Sequence, residues 1–171
     1  MEQFVSTMLY NKHMEQETKT LAEELQKLLK GGNAHAGLKK ALANIPHHLV
    51  GEKPHNLPYS IWQLAEHIRI AQWDMLEFSR DAHHQSPKWP EGYWPKETAP
   101  VDEHSWNQTL KRIEDDLEAF IQLVQEKDLY APFPYGEGQT LLSEALQLAD
   151  HNAYHIAEII VIRRLLGAWK G

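Results

Sequence analysis

The stretch that decides the fold is QTLLSEALQLADHNAYHIAEIIVIRRLLGA, residues 139–168. Within it Leu141, Ala145, Leu148, Asn152, His155, Ile159, Ile162 and Leu166 recur at alternating steps of four and three. That repeat keeps one stripe of an α-helix against its neighbours in a bundle. The stripe is apolar except at its centre, where Asn152 and His155 stand in for hydrophobes. His151 lies one turn before His155 in a flanking row with Glu144 and Glu158, so an acid, a histidine and an acid follow one another at seven-residue spacing. An imidazole buried without partners costs about 1–3 kcal/mol per unpaired polar group, so this interruption needs a reason.

Working outward, the same helical repeat appears four more times. Residues 16–30 place Leu21, Leu25, Leu28 and Leu29 on one face and end at Gly31-Gly32, a stop signal. A second segment follows with Asn33 as its N-cap, and Ala34, Leu38, Ala41 and Ile45 repeat until Pro46. After a proline-rich loop, Ser60 caps a third helix whose seam is Ile61, Leu64, Ile68, Ala71, Met75 and Phe78. His67 stands beside that seam, in a row with Ser60 and Asp74. A fourth helix over 103–126 carries Trp106, Leu110, Ile113, Leu117, Phe120 and Val124, a purely apolar scaffold. No strand-like alternation, internal repeat or low-complexity tract is present in the sequence.

The sequence therefore predicts an all-α four-helix bundle, one domain over residues 1–171, with residues 1–30 as an extra N-terminal helix. Residues 81–102 hold four prolines and no period. A segment of that length can run the roughly 30 Å of a helix, so the two helices it joins can lie parallel, giving an up-down-down-up arrangement with a long crossover between the second and third bundle helices.

Composition limits the chemistry. The formal net charge of −7 disfavours non-specific nucleic-acid binding. MEQFVSTMLY lacks a basic stretch followed by an apolar one, and the apolar run IIVI at 159–162 is bounded by Glu158 and Arg163. A cytoplasmic chain without membrane contact is expected. The absence of cysteine excludes disulfides, thiolate nucleophiles and Cys-ligated zinc or iron–sulfur sites. Any metal must be held by His, Asp or Glu.

Eleven histidines produce an H-x-x-x-H pair by chance easily, so the place of His151 and His155 at a bundle seam counts for more than their spacing. Glu-x-x-His on two helices, the di-iron pattern, is absent, since Glu52 and His55 flank Pro54 in a loop. The H-E-x-x-H zinc motif is absent too. Asp74 and Glu158, each one heptad from a histidine, are candidate acids or bases, and also ordinary charges beside a seam. His47, His48, His55, His83 and His84 read as exposed loop residues, and His35, near the start of its helix and within reach of the bundle end, has no partner at ligand spacing. Trp89, Tyr93 and Trp94 either roof a pocket or dimer surface or pin the crossover, and Arg163-Arg164 either hold an anion or complement the helix dipole.

SIWQLAEHIRIAQWDMLEF (60–78) together with GQTLLSEALQLADHNAYHIAEIIVIRRLLGAW (138–169) resembles the DinB/YfiT-like metalloenzyme superfamily. SPKWPEGYWP (86–95) and GGNAHAGLKKALANIP (31–46) resemble one branch of it, so the likeness runs from about residue 31 to the end. The resemblance implies a bundle, often a homodimer, in which His67, His151 and His155 ligate a divalent metal, zinc or nickel. Three neutral imidazoles leave a coordination position open, which favours catalysis over structure. It further implies a metal-dependent enzyme acting on a small molecule, as an S-transferase that uses a low-molecular-weight thiol. A metal-dependent hydrolase, or a non-enzymatic metal-binding stress-linked dimer, fits the same ligands.

Overall fold

The computed structural model describes the backbone of residues 2–32 and 34–170, and the side chains of residues 12, 14–32 and 34–170. The N-cap expected at Asn33 lies outside the described residues. Among the described residues there are five α-helices: α1 (Glu2–Leu29), α2 (Leu38–Leu42), α3 (Ile61–Arg80), α4 (Glu103–Glu126) and α5 (Leu141–Leu165). Short 3-10 turns lie at His47–Leu49, Pro54–Asn56 and Glu91–Tyr93, and no β-strand occurs among the described residues.

The caps follow the sequence. Ser60 and Gln63 close a capping box on α3, and Thr140 with Ser143 does the same for α5. Asp102 accepts from the Ser105 backbone N–H at the start of α4. The second expected segment shrinks to the five residues of α2. Gly37 and Ala43 are extended, Asn44 is left-handed at φ 55, and Pro46 disfavours helix in the residue before it, so the helix has room for little more than one turn. The N-terminal helix is longer than expected and reaches back to Glu2, since neither Gly nor Pro interrupts it before Gly31.

Cross-helix contacts give the direction of each helix. Glu66 and Gln72 of α3 bond to Thr109 and Ile113 of α4, so residue numbers rise together and the two helices run parallel. On α5 the numbers fall as those of α3 rise, because Ile61 shares a cluster with Ile159 and Ile162 while Leu76 shares one with Leu141 and Leu148. α1 packs along α4 and α5 with Leu25 and Leu29 in the core, and Gln26 meets Gln125 near the end of α4. The four long helices, α1, α3, α4 and α5, are thus up, down, down and up in chain order, with residues 81–102 returning along the bundle. The N-terminal helix expected as an extra therefore takes the first place in the bundle in lieu of the short α2.

Among the described residues the apolar core falls into two clusters. One gathers Ile61, Leu64, Ile68, Trp106, Ile113, Ile156 and Ile159, and the other Leu25, Leu76, Phe120, Val124, Leu141, Ala145 and Leu148. Between them on α3 and α5 lies a polar layer: His67, Gln72, His151, Asn152 and His155. Burial of apolar surface on both sides fixes the helices, and the layer inherits that rigidity.

Candidate metal centre

His67, His151 and His155 form the one group of three or more metal-capable side chains found among the described residues, each offering a ring nitrogen, all within 4.8 Å of one another. His67 Nε2 and His151 Nε2 are 3.1 Å apart. His67 and His155 are buried, at 3% and 8% exposure, and His151 is partly buried.

Each ring is held from its other side by an oxygen. His67 Nδ1–H donates to the Tyr93 carbonyl at 3.0 Å, and His155 Nδ1–H donates to Glu158 Oε2 at 2.7 Å. His151 Nδ1 faces Asn152 Oδ1 at 3.3 Å. Asn152 Nδ2 donates to Gln72 Oε1, and Gln72 Nε2 donates to the Ile113 carbonyl. The tautomers are assigned from these acceptors, since carbonyl and carboxylate oxygens can only accept. In a neutral imidazole a protonated Nδ1 leaves Nε2 as a bare lone pair. Two such lone pairs 3.1 Å apart repel unless a cation lies between them.

The residues fit such a cation. Two nitrogens sharing a tetrahedral ion at about 2.0–2.1 Å stand roughly 3.3 Å apart. Burial, followed by smaller contributions from His151 and His155, pushes the His67 pKa down to about 4 although its bond to Tyr93 works the other way. Burial and His155 lower that of His151 as well. Both rings are therefore neutral at physiological pH, the form in which an imidazole can ligate a metal. An oxygen acceptor on the distal nitrogen of each ligating histidine is the usual arrangement around a bound metal.

The crossover supplies the cover. Trp94 stacks on His67 with centroids 3.8 Å apart and planes 5° from parallel, and Tyr59 stacks on Trp94 at 4.1 Å. The Tyr93 hydroxyl donates to Asp74 Oδ2, and His84 Nε2–H donates to Asp74 Oδ1 at 2.7 Å. Tyr93 and Trp94 thus pin the crossover and wall the site at once, while Trp89 stays 67% exposed.

Both candidate acids are committed: Glu158 to His155, Asp74 to Tyr93 and His84. His84, expected to be exposed, is partly buried against Trp73 and Asp74. His35, His48, His55 and His83 are exposed and apart from the centre, and His47 is partly buried with Nε2 unpartnered. Arg163 is buried and donates to the carbonyls of Lys40, Ala41 and Ala168, so it caps the ends of α2 and α5. Gln72, which has no exposure at all, belongs to this layer although no motif in the sequence marks it. Its signal was a polar residue four positions after Ile68, one place from the seam residue Ala71.

Compared with known families, residues 33–159 match the family model described as the DinB superfamily. No curated protein and no solved structure gives a match.

Proposed function

The chain belongs to the DinB superfamily, and from that premise we propose that His67, His151 and His155 hold a divalent metal ion, zinc or nickel, in a metal-dependent enzyme. The observation that carries the reading is the convergence of the ring nitrogens while oxygen acceptors hold the far sides of the rings. When bound, the ion supplies Lewis acidity that lowers the pKa of a water or thiol beside it.

The chain's own residues do the rest. Glu158, the Asn152–Gln72 pair and the Tyr93 carbonyl fix the three rings so that little reorganisation is left for binding. Trp94 shields one face of His67 from water. A thiol substrate suits this site better than water for one specific reason: Asp74 and Glu158 are both engaged, and a thiol beside the ion gives up its proton more readily than water and so needs less help from a base. We therefore favour S-transfer from a low-molecular-weight thiol to a small electrophile. The reading includes a homodimer, supported by the exposed Leu146, Tyr154, Val161 and Leu165 of α5.

Metal analysis of protein purified without a histidine tag tests the ligands. His67→Ala and His151→Ala should each abolish stoichiometric metal, and unchanged metal content in both removes the site. Conjugation of an electrophile to glutathione, mycothiol and bacillithiol, each assayed on fully loaded protein, tests the reaction. Sedimentation at a single mass of 19.8 kDa would remove the dimer.

A further inference from the structure

One buried group is not absorbed by the metal centre. Glu144 on α5 is only 6% exposed, and among the described residues no donor is bonded to its carboxylate. It precedes His151 by seven residues, as Asp74 follows His67 by seven. Because α3 and α5 are antiparallel, the two acids share one level of the bundle, about 10 Å along the axis from the imidazoles. The Glu144 carboxyl is pushed up from its ordinary range, by burial first and by the negative charge of Asp74 second, which places the two acids in each other's field.

Asp74 is already satisfied, because His84 Nε2–H and the Tyr93 hydroxyl occupy its two oxygens. Neither donor can turn to Glu144 without releasing Asp74. The Glu144 oxygens are not among the buried unpartnered atoms, so an incoming group can reach them, and a carboxylate beside a second acid with no protein donor is relieved by a cation or strong donor. Tyr93 joins the two levels, with its carbonyl on His67 and its hydroxyl on Asp74. Asp74, the acid at the level of Glu144, is thus tied to the histidine layer through one residue.

We propose that Glu144 is a substrate-binding residue that receives a protonated amine, so that the substrate is a small amine whose other end carries a metal-seeking group. The proposal rests on the metal-centre reading above and adds the class of molecule bound there. An ammonium group between Glu144 and Asp74 supplies the missing donor and offsets both charges. The spacing sets the length: the amine and the metal-seeking end are separated by a chain that bridges one heptad of helix.

The test uses full-length protein loaded with cobalt(II), whose visible absorption reports thiol binding. Cysteamine and progressively longer ω-amino alkanethiols are titrated, each beside the unsubstituted alkanethiol of equal length. Above a threshold length the aminothiol should bind about tenfold more tightly than its partner, the scale of one charge-assisted hydrogen bond. Glu144→Gln should erase that advantage and leave the alkanethiols binding as before, which also shows that the variant is folded and loaded. Equal binding of both series at every length, or an advantage that survives Glu144→Gln, overturns the amine subsite while the metal centre stands. Absence of any thiol response in loaded protein overturns the thiol reading, and the amine subsite with it.

Discussion

His67 ties the stability of the metal-free protein to pH. The unfolded chain takes up a proton on this imidazole near 6.5, whereas the folded protein, having buried the ring, refuses it until about 4. Between those values the unfolded state binds more protons, so stability falls as pH falls through the window and levels off below it. A drop from 6.5 to about 4 is worth about 3 kcal/mol. Domains of this size are stable by roughly 5–15 kcal/mol, so the loss is a large share. Urea unfolding of metal-free protein, followed by tryptophan fluorescence at intervals from pH 7 to pH 4, measures it. His67→Leu removes this proton uptake from both states and should flatten the profile by about 3 kcal/mol. His151, shifted in the same direction, contributes the residual slope in both proteins. Parallel profiles for the two proteins would show that the folded state protonates His67 as readily as the unfolded chain, and the burial argument would fail.

Three further outcomes follow from named contacts. Gln72→Leu breaks the chain from the Ile113 carbonyl through Asn152 to His151, and should weaken metal affinity by about 10–100-fold in competition with a chromophoric chelator. Trp94→Ala removes the ring stacked on His67, so proteolysis within residues 81–102 should accelerate, and an unchanged cleavage rate would show that the stack does not hold the crossover. Arg163→Met leaves the carbonyls of Lys40, Ala41 and Ala168 without their shared donor and should cost about 3 kcal/mol by thermal or urea unfolding, with metal content unaltered.

The bundle was legible in the chain because helical periodicity is a local property. The seam from Leu141 to Leu166 and the seam of α3 specify which face of each helix is buried, and Ser60, marked as a cap from sequence, forms its capping box. The second segment is shorter than its helical apolar spacing predicts, because Gly37, Asn44 and Pro46 set backbone dihedrals that end the helix early. Asn152 stood out as an intruder in the α5 seam, but its partner Gln72 did not, since a hydrogen bond across eighty residues leaves no trace in spacing.

By itself, then, the sequence determined a cysteine-free helical bundle with imidazoles at the seam of its last helix and the flank of an earlier one. Those properties depend on residue type and on neighbours within a turn or two. Tertiary structure alone brought His67 to within 3.1 Å of His151, spent Asp74 on Tyr93 and His84, and left Glu144 at 6% exposure with no donor among the described residues. Each of those depends on the level at which α3, α5 and the crossover meet. That level is set by the packing of the two apolar clusters on either side of the polar layer.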